Sequence, residues 1–423
     1  MLGTLGGTTR LPPATLPPTL DISMSARAIT RRELESALHK REFEFYYQPK
    51  VSMVTGEICG AEALIRWIKP DGTLVLPGAF IPQAESNGFI NRLTLCMVQR
   101  LIEDIDRINQ RGVPLPISFN VSAHDFQNRK LVNLLMAAIE RGEIIPEQLE
   151  IELTETVVLN DCPVVIDNLN TLKTLGIRLV MDDYCRGFSN LGTLARWPFS
   201  TIKIDKSIIS QVEQSEKELS IVQSSIQMAH NMDLDIVAEG VETESCYRLL
   251  QNTGCSVAQG YWISPPLPMA SFLSFLKEGR HWPSQLLGML HMAQLDHIQW
   301  RKSVIDSVYY LDMISDVQGF SWPEAHHTQC RLGKWLYGPG RCFSNTIWFN
   351  KLHQSHKDLH HTLAELMVAV DGGHTGQQLT ALVRKLSRQS DLVMQMLHEL
   401  EHYLVEQRLV REQRASLDEV AVL

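Results

Sequence analysis

Seven polar side chains sit in or beside otherwise apolar runs of this 423-residue chain: Glu62, Asn120, Glu152, Asp182, Asp183, Lys203 and Glu239. Any single acid at the end of a strand can be a solvated loop charge. The whole set argues for a shared site, because Glu152 in LEIEL and Asp182 in LVMDD would each cost several kcal/mol if buried without a compensating cation. Glu62, Asn120, Glu152, Asp182 and Asp183 offer oxygen donors, the set that suits Mg2+ or Mn2+. The adjacent Asp182 and Asp183 can bridge or split between two ions about 3.5–4 Å apart, an arrangement that holds the attacking and leaving oxygens of a phosphodiester. Arg66 adds a guanidinium fork suited to phosphate.

A second group lies in the last third of the chain. His356 and His360 are spaced i, i+4, so on a helix they project from one face and can chelate one ion. With His297 and Cys330 they make three imidazoles and one thiolate, enough for a tetrahedral Zn2+ shell. His326, His327, His353 and His361 offer competing assignments.

These residues need elements to position them. FEFYYQPKV, LPISFNVS, LEIELTE, IRLVMDDY, TIKIDK and LDIVAEGV read as buried strands separated by helical patterns. That alternation predicts an α/β fold, a parallel (β/α)8-type, TIM-like barrel, which gathers residues from the C-terminal ends of successive strands into one site. From about Gln285 the chain becomes His-rich, and segments 290–318, 346–370 and 376–410 carry apolar residues at helical spacing. An all-α helical bundle is expected there. The predicted boundaries are a flexible tail over 1–30, a barrel over 31–280, a zinc-binding bundle over 288–405 and a C-terminal tail over 406–423.

The bulk composition narrows the function classes. A formal net charge of −9 argues against a footprint for duplex nucleic acid. Eight scattered cysteines with no CxxC pair favour reduced thiols and a cytoplasmic location. No signal peptide and no membrane span are expected.

The motifs AEALIRW (61–67), FNVS (119–122), ELTE (152–155), MDD (181–183), KID (203–205), AEGVET (238–243) and AQGYWIS-P (258–265) stand in an order and spacing that resembles the EAL phosphodiesterases. The resemblance implies a barrel enzyme that cuts one phosphodiester bond of cyclic di-GMP to give linear pGpG. It also implies that Glu62, Asn120, Glu152 and Asp182 hold one ion and Asp182 with Asp183 the other. By the same resemblance Lys203 and Glu239 orient or deprotonate the attacking water, Gln259 contacts the site, Gln48 and Arg66 contact the dinucleotide, and Glu155 anchors a loop coupled to dimer contacts. One departure stands out: where the family reads DFGTGYSSL, residues 183–191 read DYCRGFSNL, with Cys185 in place of a glycine free to adopt positive φ. Three readings follow: a cyclic di-GMP phosphodiesterase, a weak or inactive module that binds cyclic di-GMP, and a mainly structural or localisation protein that uses its helical last third.

In the last third, DHIQW (296–300), CRLGKW (330–335) and LHQSHKDLH (352–360) resemble the chemoreceptor zinc-binding domain. That similarity implies zinc held by His297, Cys330, His356 and His360 in a four-helix bundle, commonly dimeric, that senses zinc or oxidants. A zinc-linked thiolate suggests that zinc or oxidants regulate the barrel, and the two resemblances imply a homodimer formed through the barrel, the bundle or both.

Overall fold

The computed structural model describes residues 29–110, 114–154, 162–185, 194, 196–232, 234–284, 286–313, 322–338, 340–341, 344, 346–372 and 377–420. Glu155, residues 186–191 of the atypical loop, and most of the expected N-terminal tail fall outside them. The chain divides into two compact units, Met1–Pro283 and Ser284–Leu423.

Eight strands of the first unit close into a ring: β1 (Phe43–Ser52), β2 (Ile58–Ile68), β4 (Ile117–Asn120), β5 (Leu149–Thr154), β6 (Arg178–Tyr184), β7 (Thr201–Ile204), β8 (Asp235–Glu239) and β9 (Val257–Gln259). Two short strands, β3 (Leu74–Val75) and β10 (Leu267–Pro268), add to β2 and β1 outside the ring. The barrel expected from the alternating pattern is therefore present. It is not wholly parallel, however, because β1 pairs antiparallel with both β2 and β9. The reason is local: β1 and β2 are joined by only the turn around Met53–Glu57, far too short for a crossover helix, so they form a hairpin.

Along each strand alternate residues face the lumen. Gln48 and Lys50 on β1, Glu62 on β2, Ser118 on β4, Glu150 and Glu152 on β5, Lys203 on β7 and Gln259 on β9 are all buried. Their apolar neighbours Ala61, Ala63, Ile117, Phe119, Ile151, Leu153, Leu179, Ile202 and Ile204 are buried as well. The helices of this unit are α1 (Arg31–His39), α2 (Pro77–Ser86), α3 (Ile90–Asn109), α4 (Lys130–Glu140), α5 (Pro163–Thr174), α6 (Lys206–Ile209), α7 (Glu216–Asn231), α8 (Glu244–Asn252) and α9 (Met269–Lys277). Thr30 starts α1 through a reciprocal capping box with Glu33. Gly240, directly after Glu239, has φ +71°, and a Cβ there would run into the aliphatic chain of Lys206. Only glycine lets the chain leave β8 at that point.

The second unit contains α10 (Leu286–Met313), α11 (Arg331–Tyr337), α12 (Ile347–Asp371) and α13 (Gln377–Val420). Phe349, Leu352, His356, Leu359, His360, Leu363 and Leu366 form the buried stripe of α12, the spacing of a helix with one face in a core. That core also includes Leu290, Val304, Leu332, Trp335, Leu386, Val393 and Leu397. The α13 helix continues through Val420, past the expected boundary at 405. The added stretch LVEQRLVREQRASL is rich in strong helix formers, which extend the helix where the apolar period fades. Among the described residues no helix is long and apolar enough to cross a membrane.

Candidate active site and metal centres

The barrel site is organised around one buried ammonium. Lys203 Nζ lies 2.5 Å from Glu239 Oε1, 2.8 Å from Glu152 Oε2, 3.2 Å from Glu62 Oε2 and 3.5 Å from Asp182 Oδ1, and the side chain is 1% exposed. Four strands thus bring four carboxylates to one point. A second lysine, Lys50, lies beneath, with Nζ donating to Ser118 Oγ at 2.8 Å and reaching Glu150 Oε2 at 3.1 Å and Glu152 Oε1 at 3.3 Å. Glu152 is gripped from both sides. Asn120 Nδ2 donates to Glu62 Oε1 at 2.8 Å and to Glu152 Oε2 at 3.3 Å, which leaves the amide oxygen as its remaining donor atom for an ion. Gln259 Nε2 donates to Glu62 Oε2 at 2.6 Å and to Gln48 Oε1 at 3.0 Å, while Gln48 Nε2 donates to the carbonyl of Ser264.

Two ammoniums do not balance these acids, and the titration behaviour reflects that. Burial pushes the Glu239 carboxyl up to about 8, with Asp182, Glu62 and Glu152 adding to the effect and Lys203 opposing it. Burial and the charge of Glu152 also raise Glu62. Burial acts in the same direction on Glu152, but Lys203 and Lys50 overcome it and hold this carboxyl at about 2. Burial works against the Lys203 ammonium, yet Asp182, Glu152, Glu239 and Glu62 hold its pKa well above the ordinary lysine value. The buried Asp182 Oδ1 and Gln259 Oε1 make no hydrogen bond; the 3.5 Å approach of Lys203 to Asp182 is an ion pair only. Excess carboxylate, all-oxygen donors and two buried oxygens without hydrogen bonds fit hard divalent cations.

Asp182 and Asp183 come to the same rim through a β-bulge. Met181 pairs with Ile202 and Tyr184 with Ile204, so two residues, Asp182 and Asp183, stand opposite Lys203 alone. In a regular strand neighbours point to opposite faces; the extra residue breaks that alternation. Asp183 adopts φ +56° and Cys185 φ +73°. Aspartate tolerates this region, whereas a cysteine there carries about 1–2 kcal/mol of steric cost. Cys185 Sγ lies 3.5 Å from Ser225 Oγ. Cys185→Gly is expected to stabilise the protein by up to about 1 kcal/mol in chemical denaturation. A loss of stability would show that packing of the thiol outweighs the backbone strain.

The bundle holds a second cluster. Cys330, His356 and His360 are buried, and their ligand atoms all lie within 4.8 Å of one another. Cys330 Sγ is 3.2 Å from His356 Nε2 and also accepts from Gly333 N, capping α11. His360 Nδ1 lies 2.8 Å from the carbonyl of Ala325; with the proton on Nδ1, Nε2 keeps its lone pair for a metal. His356 Nδ1 is buried without a hydrogen-bond partner. One thiolate and two imidazoles fit zinc. His297 is buried but stands outside this cluster, its Nε2 2.8 Å from Ser390 Oγ and 3.3 Å from Ser390 O.

Residues 31–266 match the EAL domain family, and residues 297–367 match the chemoreceptor zinc-binding domain. The chain belongs to the EAL family. Its EAL region resembles the cyclic di-GMP phosphodiesterase NbdA of Pseudomonas aeruginosa, 34% identical over 262 residues, which is 62% of this chain and 34% of NbdA. It also resembles the cyclic di-GMP phosphodiesterase RocR of the same organism, 31% identical over 238 residues, 56% of this chain and 61% of RocR. Against other curated relatives the match spans only 38%, 32% and 31% of their length. The solved structure of the PaMucR phosphodiesterase in complex with c-di-GMP is similar to the EAL barrel with a TM-score of 0.54 at 32% identity, covering 57% of this chain and 98% of that one. The cAMP and cyclic-di-GMP bound form of the EAL enzyme Bd1971 gives a TM-score of 0.56 at 30% identity, covering 58% and 67%.

In the EAL barrel, Glu62, Asn120, Glu152, Asp182, Lys203, Glu239, Gln259 and Gln48 form the connected network described above, and Asp183 stands beside them in the bulge. Glu62 is not at a strand end: it sits in the middle of β2, whose far end runs on to pair Trp67 and Ile68 with β3. Arg66 lies four residues further along the same face, with Nη1 donating to the carbonyl of Ile65 and the guanidinium 5.8 Å from the Tyr46 ring centre. A cavity of about 770 Å³ opens beside the rim, lined in part by Leu64, Pro82, Glu85, Asn120, Ser122 and Asp183. Glu155 lies outside the described residues. Sequence reasoning passed over Lys50, Ser118 and Glu150; the available signal was a lysine two residues after Gln48 in an otherwise apolar strand.

In the zinc-free protein, burial holds His297 and His360 down at about 4 and His356 at about 2. An unfolded chain takes up these protons below about pH 6.5. The folded bundle does not, so its stability falls as the pH drops from that point through the depressed values. Zinc-free protein is expected to melt at progressively lower temperature from pH 7 to pH 4.5. A flat profile in the far-ultraviolet signal of the bundle would contradict the buried neutral histidines.

Proposed function

We propose that the barrel hydrolyses one phosphodiester bond of cyclic di-GMP to linear pGpG, and that zinc or oxidants acting on the bundle regulate it. The observation that carries this reading is the convergence of Glu62, Glu152, Asp182 and Glu239 on Lys203 at 2.5–3.5 Å. Glu62, Asn120, Glu152 and Asp182 would hold one Mg2+ or Mn2+, and Asp182 with Asp183 a second. Bound there, the pair would supply charge neutralisation at the phosphate and a more acidic water. Glu239, with its carboxyl near 8, can exchange a proton close to neutral pH, and Lys203 fixes its orientation. Arg66 would grip a phosphate by its fork, and Gln48, tethered between Gln259 and Ser264, would meet the dinucleotide. The cavity beside the rim falls within the usual size of a small-molecule site.

In the bundle, Cys330, His356 and His360 would hold Zn2+, with His297 completing the shell if it leaves Ser390. Burial raises the Cys330 thiol to about 11, so metal uptake must expel its proton. A homodimer and a cytoplasmic location belong to the same reading. The strained Cys185 favours a second reading, a module that binds cyclic di-GMP with little turnover. The test is to incubate the full chain with cyclic di-GMP in Mg2+ or Mn2+, follow pGpG by chromatography, and measure affinity in Ca2+. Product supports the first reading, and binding without product the second; neither binding nor product sinks both. Regulation is dropped if chelating zinc or Cys330→Ala leaves rate and dimer state unchanged.

A further inference from the structure

A second imidazole pair stands just outside the Cys330–His356–His360 cluster. His353 Nε2 is 2.8 Å and His327 Nδ1 3.0 Å from the hydroxyl oxygen of Tyr337. Two ring nitrogens from separate segments therefore converge on one hydroxyl oxygen, which can donate to one ring and accept from the other; a cation held between the rings would take its place. The three side chains are only partly buried, so the point is reachable from solvent, unlike the inner cluster. Each is tied to that cluster through the chain. His353 precedes His356 by one turn of α12, the carbonyl of His327 faces Cys330 Sγ at 3.9 Å, and Tyr337 ends the helix that Cys330 caps.

Resting on the reading of the inner cluster as a zinc site, we propose that His327 and His353, facing each other across the Tyr337 hydroxyl, form a second, shallower site for a borderline divalent cation and pass it to the buried cluster. Imidazole nitrogen suits Zn2+, Co2+, Ni2+ and Cu2+ better than Mg2+. Lys357 lies close enough to oppose a cation. That repulsion and the absence of a thiolate make the outer site the weaker of the two, as transfer inward requires.

The test uses the full chain stripped of metal and titrated with Co2+, comparing wild type with the His327→Ala/His353→Ala double variant and with Tyr337→Phe. Cobalt at Cys330 gives a thiolate-to-metal absorption band; cobalt on imidazole alone does not. The double variant is expected to bind one cobalt fewer per chain while keeping the thiolate band at full strength, and cobalt bound in the barrel is common to all three proteins. Filling of the thiolate site should slow by about tenfold, the scale on which neighbouring groups act at metal sites. Tyr337→Phe should retain the outer cobalt. Equal stoichiometry and equal filling rates in wild type and double variant overturn the proposal, leaving a hydrogen-bonded clasp. Loss of the thiolate band in the double variant also overturns it, because the pair then supports the fold of the inner site. If wild type shows no thiolate band, the inner-site reading fails, and the outer site stands or falls on whether the double substitution removes one bound cobalt.

Discussion

Glu62→Ala is expected to lower cyclic di-GMP turnover by more than about a thousandfold, at or beyond the upper end of what removing one electrostatic stabiliser costs an enzyme. Glu62 is hydrogen-bonded to three groups of the site. It accepts from Asn120, Gln259 and Lys203, so its loss removes a donor proposed for the ion and releases three of the groups that shape the rim. The measurement is the initial rate of pGpG formation at saturating Mn2+, alongside affinity for cyclic di-GMP in Ca2+. A rate within tenfold of wild type would mean that the carboxylate ring is not where the chemistry occurs. Affinity should fall much less than rate, because the dinucleotide contacts proposed for Gln48 and Arg66 remain.

Lys203→Met should destabilise the metal-free protein by about 3–5 kcal/mol, the cost of leaving buried charge without its partner. Glu62, Glu152, Asp182 and Glu239 would face one another with only Lys50 nearby. Some would take up protons instead of staying ionised, so the deficit should shrink as the pH is lowered. Mg2+ or Mn2+ should recover part of the loss by supplying the missing positive charge. Denaturant titrations with and without Mn2+ at two pH values check this. A variant as stable as wild type without metal would show that the acids are already neutral.

Much of this was legible in the residues before any coordinates. The lumen-facing acids betray themselves as charges inside apolar strands, and strands alternating with helical patterns point to a closed barrel. What escaped depends on pairing between strands. Nothing local to Glu62 says that β2 runs on to meet β3, which moves Glu62 from strand end to strand middle. The bulge at Asp182–Asp183 exists only relative to Lys203 on the neighbouring strand, so adjacency in sequence carries the pair without its geometry. The hairpin of β1 and β2 is encoded in the brevity of their turn, a feature outweighed by the parallel pattern elsewhere. His297 could be recognised as a buried ligand type, but its hydrogen bond to Ser390 depends on the packing of α13, which no local sequence signal shows.

The reversed first strand also decides where upstream sequence arrives. In an all-parallel barrel the polypeptide would enter at the floor, away from the rim. Here Phe43 begins β1 opposite Trp67, beyond Glu62 on β2, so entry is from above the mouth. The preceding helix α1 is fastened there by Arg31 Nη1 donating to the carbonyl of Asn87, at the end of the helix whose Pro82 and Glu85 line the cavity. Any tug or twist on α1 would therefore be felt first by the walls of that cavity.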